Sequence, residues 1–270
     1  IINKNFTMTC KESTEYFDQK YHCWKENGHG VVNLKKAISE SCDIYFYEVA
    51  RLLGVDRLNE TAKRFGLGQY VFDGFIEEKK GVVPSTKWKK KYIGEPWYLG
   101  ETIITGIGQG YIQTTPIQLC KMMTQLSNGG YKVTPTLFKT QEPKPLDEKL
   151  IYDSDDLKII MESLFSSTNK YGGTSFRSRI EGKFLYAGKT GTSQVRKITE
   201  LQRLRNVKNK DLPWKFRDHS LFVGYGPVKD PKFNISVVID HGGSGSSKAA
   251  PIARKVMQKI FNKYYLKKNV

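Results

Sequence analysis

Apolar residues recur at helical spacing in several stretches. In VDRLNETAKRFG, Leu58, Ala62 and Phe65 fall four and three apart and Gly66 follows, which predicts a helix ending at that glycine. Thr115-Pro116-Ile117-Gln118 reads as a capping box with proline at the first helical position. Leu119, Met122, Met123 and Leu126 then make one apolar face, and Asn128-Gly129-Gly130 stops the helix. Ile160, Met161, Leu164 and Phe165 form a similar stripe before the turn at Gly172-Gly173. A last helix is predicted from about Ala250 towards Tyr264, with Ile252, Val256 and Ile260 as its core-type positions.

The pattern changes late in the chain. LYAGKTGTS, SLFVGYGP and FNISVVID are short, apolar or alternating, and separated by turn or loop chemistry, so they are expected to be strands. Val228-Lys229-Asp230-Pro231-Lys232 is a hairpin-length connection that makes the last two antiparallel neighbours. Helices first and strands afterwards, with no βαβ alternation, predict an α+β fold with an antiparallel sheet flanked by helices. No repeat or linker interrupts residues 1–270, which are expected to form a single domain.

Composition narrows the classes. The 270 residues suffice for a sizeable core, and 39% hydrophobic with 12% aromatic residues and no low-complexity run exclude a disordered chain. No stretch approaches the ~18 apolar residues of a membrane span. The chain opens IINKNFTMTC, with neither an initiating Met nor a charged leader, and is expected to be a fragment. Its net charge is +17, with peaks at Lys87-Trp88-Lys89-Lys90-Lys91, across Arg196–Arg217 and over Lys255–Lys268. No nucleic-acid-binding signature accompanies these peaks, so nucleic acid is set aside and solvated faces are expected. Val195–Arg217 is expected to be a long polar excursion between strands, holding Arg196, Lys197, Arg203, Arg205, Lys208, Lys210, Lys215 and Arg217 against Glu200 and Asp211. Glycan, lipid and a protein partner all suit it.

Two short motifs can carry chemistry. Lys189-Thr190-Gly191-Thr192-Ser193 would set a cation and two hydroxyls along one strand, Thr190 and Thr192 sharing a face, with Gly191 leaving room for a substrate backbone. Ser41-Cys42-Asp43 precedes IYFYEVARLLG and can present Ser41 and Asp43 while Cys42 faces the other way. Cys120 falls among apolar residues of the Thr115 helix and is expected to be a buried, inert thiol. Cys10, Cys23 and Cys42 lie close in sequence with His29 among them; spacing leaves a metal site, a Cys10–Cys23 disulfide and solitary thiols open.

Order adds specificity. Ser-x-Asp at 41–43, GIGQGYIQTTPIQL at 106–119, GKTGTS at 188–193, then HSLFVGYGP and DHGGSGSSKAAPIAR together resemble the penicillin-binding transpeptidases, kin of the serine β-lactamases. HCWKENGHG at 22–30 and ESCDIYFYEVA at 40–50 resemble the elongation-associated class B group, penicillin-binding protein 2. The resemblance covers roughly residues 10 to 260. It implies a partial serine-transpeptidase fold holding the last three of five main strands, with a bare apolar edge at Phe233–Asp240 and poor solubility when these residues are expressed alone. It implies acyl transfer on peptidoglycan stem peptides, inhibition by β-lactams, glycosyltransferase and elongation-complex partners, and an inner-membrane-anchored enzyme with a periplasmic catalytic domain. Its nucleophile, the Ser of S-x-x-K, is expected ahead of Ile1. The formal match Ser167-Thr168-Asn169-Lys170 is out of order and is expected to be a surface coincidence.

By the same resemblance Ser41 relays a proton to the leaving amine with support from Lys189, while Thr190 and Thr192 bind the substrate's terminal carboxylate. Thr192 N–H gives half of the oxyanion hole. Asp43 stands where the general family has Asn, and a carboxylate cannot donate to a substrate carbonyl. Some members hold a structural zinc ion, whose ligands match Cys23, His29 and Cys42, with Cys10 supplying the fourth. His22, His219 and His241 are expected to stay outside the chemistry. The contrasting reading is a non-catalytic basic, zinc-stabilised binding module or a pseudoenzyme.

Overall fold

The computed structural model describes residues 2–72, 74–138, 146–196, 198–205 and 207–266; Lys197 and Lys268 of the basic runs lie outside them. The chain divides into two compact units, Ile1–Ser163 and Leu164–Val270. Among the described residues no helix is long and apolar enough to cross a membrane.

The first unit opens with two small antiparallel pairs that the hydrophobic pattern did not reveal. β1 (Thr7–Cys10) pairs with β4 (Gly30–Asn33), and β2 (Ser13–Tyr16) pairs with β3 (Gln19–His22). At four residues each, and mostly half-exposed, they carry too few apolar positions to betray a period of two. Among the described residues the helices α1 (Leu34–Glu40), α2 (Asp43–Leu53), α3 (Val55–Arg64), α4 (Thr86–Tyr92), α5 (Leu99–Thr105) and α6 (Pro116–Ser127) follow. α6 starts as its capping box predicts, with Thr115 accepting from Gln118 N and Gln118 accepting from Thr115 N. α2 and α5 pack so closely that a Cβ on Gly106 would lie 2.3 Å from Ala50 Cβ. Val32, Ala37, Ile44, Tyr45 and Ile103 form the core around them. Lys89, expected on a solvated face, is 1% exposed, because its ammonium meets Glu101 at 2.6 Å and Glu95 at 3.5 Å. Cys120 is half-buried rather than buried, and burial raises its thiol pKa, in keeping with an inert group.

α7 (Ser154–Asn169) leads into the second unit. There β5 (Ala187–Ser193), β6 (His219–Gly226) and β7 (Phe233–Ile239) form an antiparallel sheet in the order β5-β6-β7, with β5 and β7 at its edges. The predicted three-strand arrangement stands. The excursion between β5 and β6 is not a plain loop: it contains α8 (Glu200–Leu204) and 3-10 turns at Asn209–Asp211 and Trp214–Phe216.

α9 (Ala249–Phe261) packs across β6 and β7, and of the predicted stripe only Ile260 packs against the core. Ala249, Ala250, Ala253, Met257 and Phe261 are buried, whereas Ile252 and Val256 are 44% and 41% exposed. Small residues let the helix axis approach the sheet, so the bulkier β-branched positions turn outward. Ser220 of β6 holds the start of α9, its hydroxyl accepting from Ala249 N and donating to Ser244 O, both at 3.0 Å.

Candidate functional site

In the first unit, α1 is capped by Asn33 and ends on Ser41, whose φ of 56° and ψ of 55° are left-handed. A non-glycine residue there costs about 1–2 kcal/mol, so its surroundings must hold it. Hydrogen bonds from Cys42 and Trp24 do so. Cys42 N donates to Ala37 O at 2.9 Å, Trp24 Nε1–H donates to Ser41 O at 2.7 Å and to Glu40 O at 3.2 Å, and Trp24 N donates to Asp43 Oδ2 at 2.9 Å. Asp43 is the first residue of α2, with Cys42 at the cap position and fully buried. Ser41 and Asp43 are both partly accessible, so the triplet alternates as its sequence suggested. Trp24 was legible only as part of HCWKENGHG; adjacency to Cys23 was the one clue to its role.

Behind that triplet four donors converge. Cys10, Cys23, His29 and Cys42 are buried, and their ligand atoms all lie within 4.8 Å of one another. The sulfurs of Cys10 and Cys23 stand 3.5 and 3.4 Å from His29 Nδ1. A tetrahedral zinc with Zn–S near 2.3 Å and Zn–N near 2.0–2.1 Å sets sulfur and nitrogen about 3.5 Å apart, so the spacing fits the ion. His29 Nε2 meets Glu40 O at 3.2 Å, which leaves Nδ1 free to ligate. All three sulfurs are free thiols. The hydrogen bond from Cys42 holds Cys23 well below the ordinary thiol range, and that bond with burial pushes Cys42 up. Gly28 makes the convergence possible, since a Cβ there would lie 2.2 Å from Cys10 O. His22 is not among the four donors.

In the second unit, GKTGTS is β5. Gly188 is required by packing: its Cβ would lie 2.4 Å from Val223 O and 2.5 Å from Phe222 Cζ. Lys189 Nζ donates to Thr190 O at 3.1 Å. Thr190 Oγ1 donates to Thr174 Oγ1 at 2.9 Å, and Thr192 Oγ1 accepts from Gly245 N at 3.3 Å. The tight backbone approach falls at Gly245, whose Cβ would lie 2.3 Å from Gly191 O; at Gly191 a Cβ would meet only Leu221 Cβ, at 3.3 Å. His219 and His241 are joined by hydrogen bonds: His241 N donates to His219 Nδ1 at 3.0 Å and His241 Nδ1 to Arg217 O at 2.8 Å.

Ser167 is not on the surface. It is fully buried, and its carbonyl accepts from Ser175 N at 2.9 Å while its hydroxyl meets Thr174 Oγ1 at 3.2 Å. The polar run Ser167-Thr168-Asn169 anchors β5: Thr168 Oγ1 accepts from Gly188 N at 3.1 Å and Asn169 Nδ2 donates to Tyr186 O at 2.9 Å.

Residues 1–258 match the family model of the penicillin binding protein transpeptidase domain. The peptidoglycan D,D-transpeptidase MrdA of Haemophilus influenzae is 37% identical over 253 residues, 90% of this chain and 38% of that protein. The Escherichia coli K12 protein of the same name is 31% identical over 254 residues, 90% of this chain and 39% of that protein. Among solved structures, penicillin-binding protein 2 of Helicobacter pylori in complex with MreC superposes with a TM-score of 0.86 at 30% identity, covering 98% of this chain and 46% of that one. Pseudomonas aeruginosa penicillin-binding protein 2 in complex with WCK 5153 gives 0.84 at 34%, covering 98% and 57%. The chain therefore spans less than half the length of these curated relatives.

Proposed function

This chain belongs to the penicillin-binding protein transpeptidase family, and on that premise we propose that it carries most of the catalytic domain of a peptidoglycan D,D-transpeptidase of the penicillin-binding protein 2 type. The observation that carries the reading is the place of Lys189-Thr190-Gly191 on an edge strand. An edge strand can take an extended peptide alongside it, and this one carries a cation and two hydroxyls.

In the proposed reaction a serine of an S-x-x-K segment elsewhere in the longer protein attacks the carbonyl between the terminal D-alanines of a stem peptide. D-alanine leaves, and an amine of a neighbouring stem resolves the acyl-enzyme to form the cross-link. Ser41 passes a proton to the leaving amine, with Lys189 favouring that transfer. Thr190 and Thr192 bind the terminal carboxylate, Gly191 admits the substrate backbone, and Thr192 N–H donates to the oxyanion. Asp43 serves by receiving Trp24 N–H, which fixes the Ser41 turn.

Cys10, Cys23, His29 and Cys42 would hold one zinc ion with no open position, a structural site that ties the Ser41–Asp43 turn from behind. The support is the burial and convergence of these four donors. We further place the catalytic domain in the periplasm on an inner-membrane anchor, with β-lactams as inhibitors and with elongation-complex and glycosyltransferase partners; the MreC complex of the Helicobacter pylori relative motivates the former. The test is intact-mass analysis of the gene's full product after labelled penicillin, with the adduct mapped. An adduct on a serine within S-x-x-K is expected. A protein that takes up no label would overturn the reading in favour of a pseudoenzyme or binding module.

A further inference from the structure

The hydroxyls of Ser167, Thr174 and Thr190 form a chain across the second unit. Thr190 Oγ1 donates to Thr174 Oγ1 at 2.9 Å, and Thr174 Oγ1 meets Ser167 Oγ at 3.2 Å, where either can donate. The chain is built rather than incidental. Thr174 follows Gly173, whose Cβ would lie 2.4 Å from both Ser166 O and Ser167 O; only glycine lets the turn press onto the end of α7 and bring Thr174 beneath β5. Ser175 N and Oγ, donating to Ser167 O at 2.9 and 3.1 Å, lock the same turn.

Each hydroxyl has a single proton to donate and room to accept. With Thr190 donating inward, Thr174 donates to Ser167, and the O–H of the fully buried Ser167 then has no acceptor among the described residues. Leaving a buried donor unsatisfied is costly. The opposite sense, Ser167 to Thr174 to Thr190, satisfies both inner hydroxyls and turns the Thr190 proton outward, where it needs an acceptor.

We propose that Thr174 is a positioning residue, and that the Ser167–Thr174–Thr190 chain reverses when a carboxylate of the substrate or inhibitor arrives, so that Thr190 donates to it with the hydroxyls of the buried Ser167 and the half-buried Thr174 both satisfied. No bond is made or broken; three O–H groups rotate, and each hydrogen bond polarises the next. The inference rests on the reading of Thr190 as a carboxylate ligand.

The experiment measures acylation rates of the full gene product by a penicillin and by the same penicillin as its methyl ester. The parent is expected to prefer the free carboxylate. Thr174→Val keeps the shape and removes the hydroxyl; it should lower the rate with the free acid roughly ten- to hundredfold, the scale of a hydrogen bond to a charged group, and leave the ester rate nearly unchanged. Thr174→Ser should restore the preference. A loss purely of packing would slow both compounds equally. Ser167→Ala should act in the same direction and carries the test if Thr174→Val does not fold. A Thr174→Val or Ser167→Ala protein with the parent's preference intact would overturn the inference alone. A parent acylated by neither compound would overturn the functional reading together with it, and a parent that reacts with both but shows no preference would overturn the role of Thr190 and this inference.

Discussion

The indole N–H of Trp24 donates to the carbonyl of Ser41 at 2.7 Å, clasping a serine held in left-handed backbone. Trp24→Phe keeps a ring there and deletes the donor. Because Trp24 is more than half exposed, little core is lost. The expected outcome is a small change in melting temperature with a five- to tenfold slower penicillin acylation, about the worth of one neutral hydrogen bond. An unchanged acylation rate would show that the turn keeps its geometry without the indole.

The cluster of Cys10, Cys23, His29 and Cys42 predicts one bound zinc per chain by elemental analysis. Cys42→Ser should lose it and destabilise by well over the roughly 1 kcal/mol of an average substitution. A zinc chelator should lower the melting temperature of the parent and leave the variant's unchanged. Full metal retention in Cys42→Ser would sink the assignment.

Glu48 sits between Arg51, at 2.7 and 2.8 Å, and the hydroxyl of Tyr16, at 2.9 Å. The hydrogen bonds from Arg51 first, and that from Tyr16 after, hold its carboxyl below the ordinary range despite opposing burial. A depressed carboxylate pKa stabilises the fold above the unfolded value of 4.5, and this contribution is lost as pH falls through the folded value. Glu48→Gln should therefore melt lower than the parent at pH 7, with the gap closing below about pH 4.5. At the alkaline end burial and Glu48 push Tyr16 up to about 12, so its neutral form stabilises the fold below 10, and this is lost as pH rises towards 12. A gap that persists unchanged through the acid range would contradict the pairing.

The orientation of α9 gives contrasting expectations for neighbouring positions. Val256→Lys, on the outward stripe, should change stability by less than about 0.5 kcal/mol. Ala253→Leu, on the inward face against the sheet, should cost about 1–3 kcal/mol through overpacking. The reverse ranking in thermal or urea melts would mean that the face assignment is wrong.

What the sequence disclosed and concealed follows size and distance. α6 was legible because its cap, its proline and its stop are all local. The three late strands were legible because β-branched and aromatic residues cluster between turns. α9 misled because the first two turns of its buried face are alanines, which carry little hydrophobic weight, while Ile252 and Val256 stand out to a periodicity count. Lys89 was hidden in a lysine run because its partner Glu101 lies on another helix. Ser167 looked solvent-bound because a polar residue reveals burial only through its partners, here Thr174 and Ser175, which follow a glycine turn. At the candidate site the four converging donors Cys10, Cys23, His29 and Cys42 could be named in advance, yet Trp24 and Thr174 could not, since each contacts the site only through a neighbour.

The four donors behind Ser41 come from the ends of β1 and β3, the approach to β4 and the junction of α1 with α2, all within residues 10–42. Their contact order is therefore low for so elaborate a knot. Low contact order means little loop-closure entropy to overcome, and such a substructure can form early. In a chain that emerges residue by residue from its amino end, this segment can gather its ligands before β5 to β7 have been made. If these donors hold the proposed zinc ion, metal supply at that moment, rather than after folding is complete, is what the yield of loaded protein would depend on.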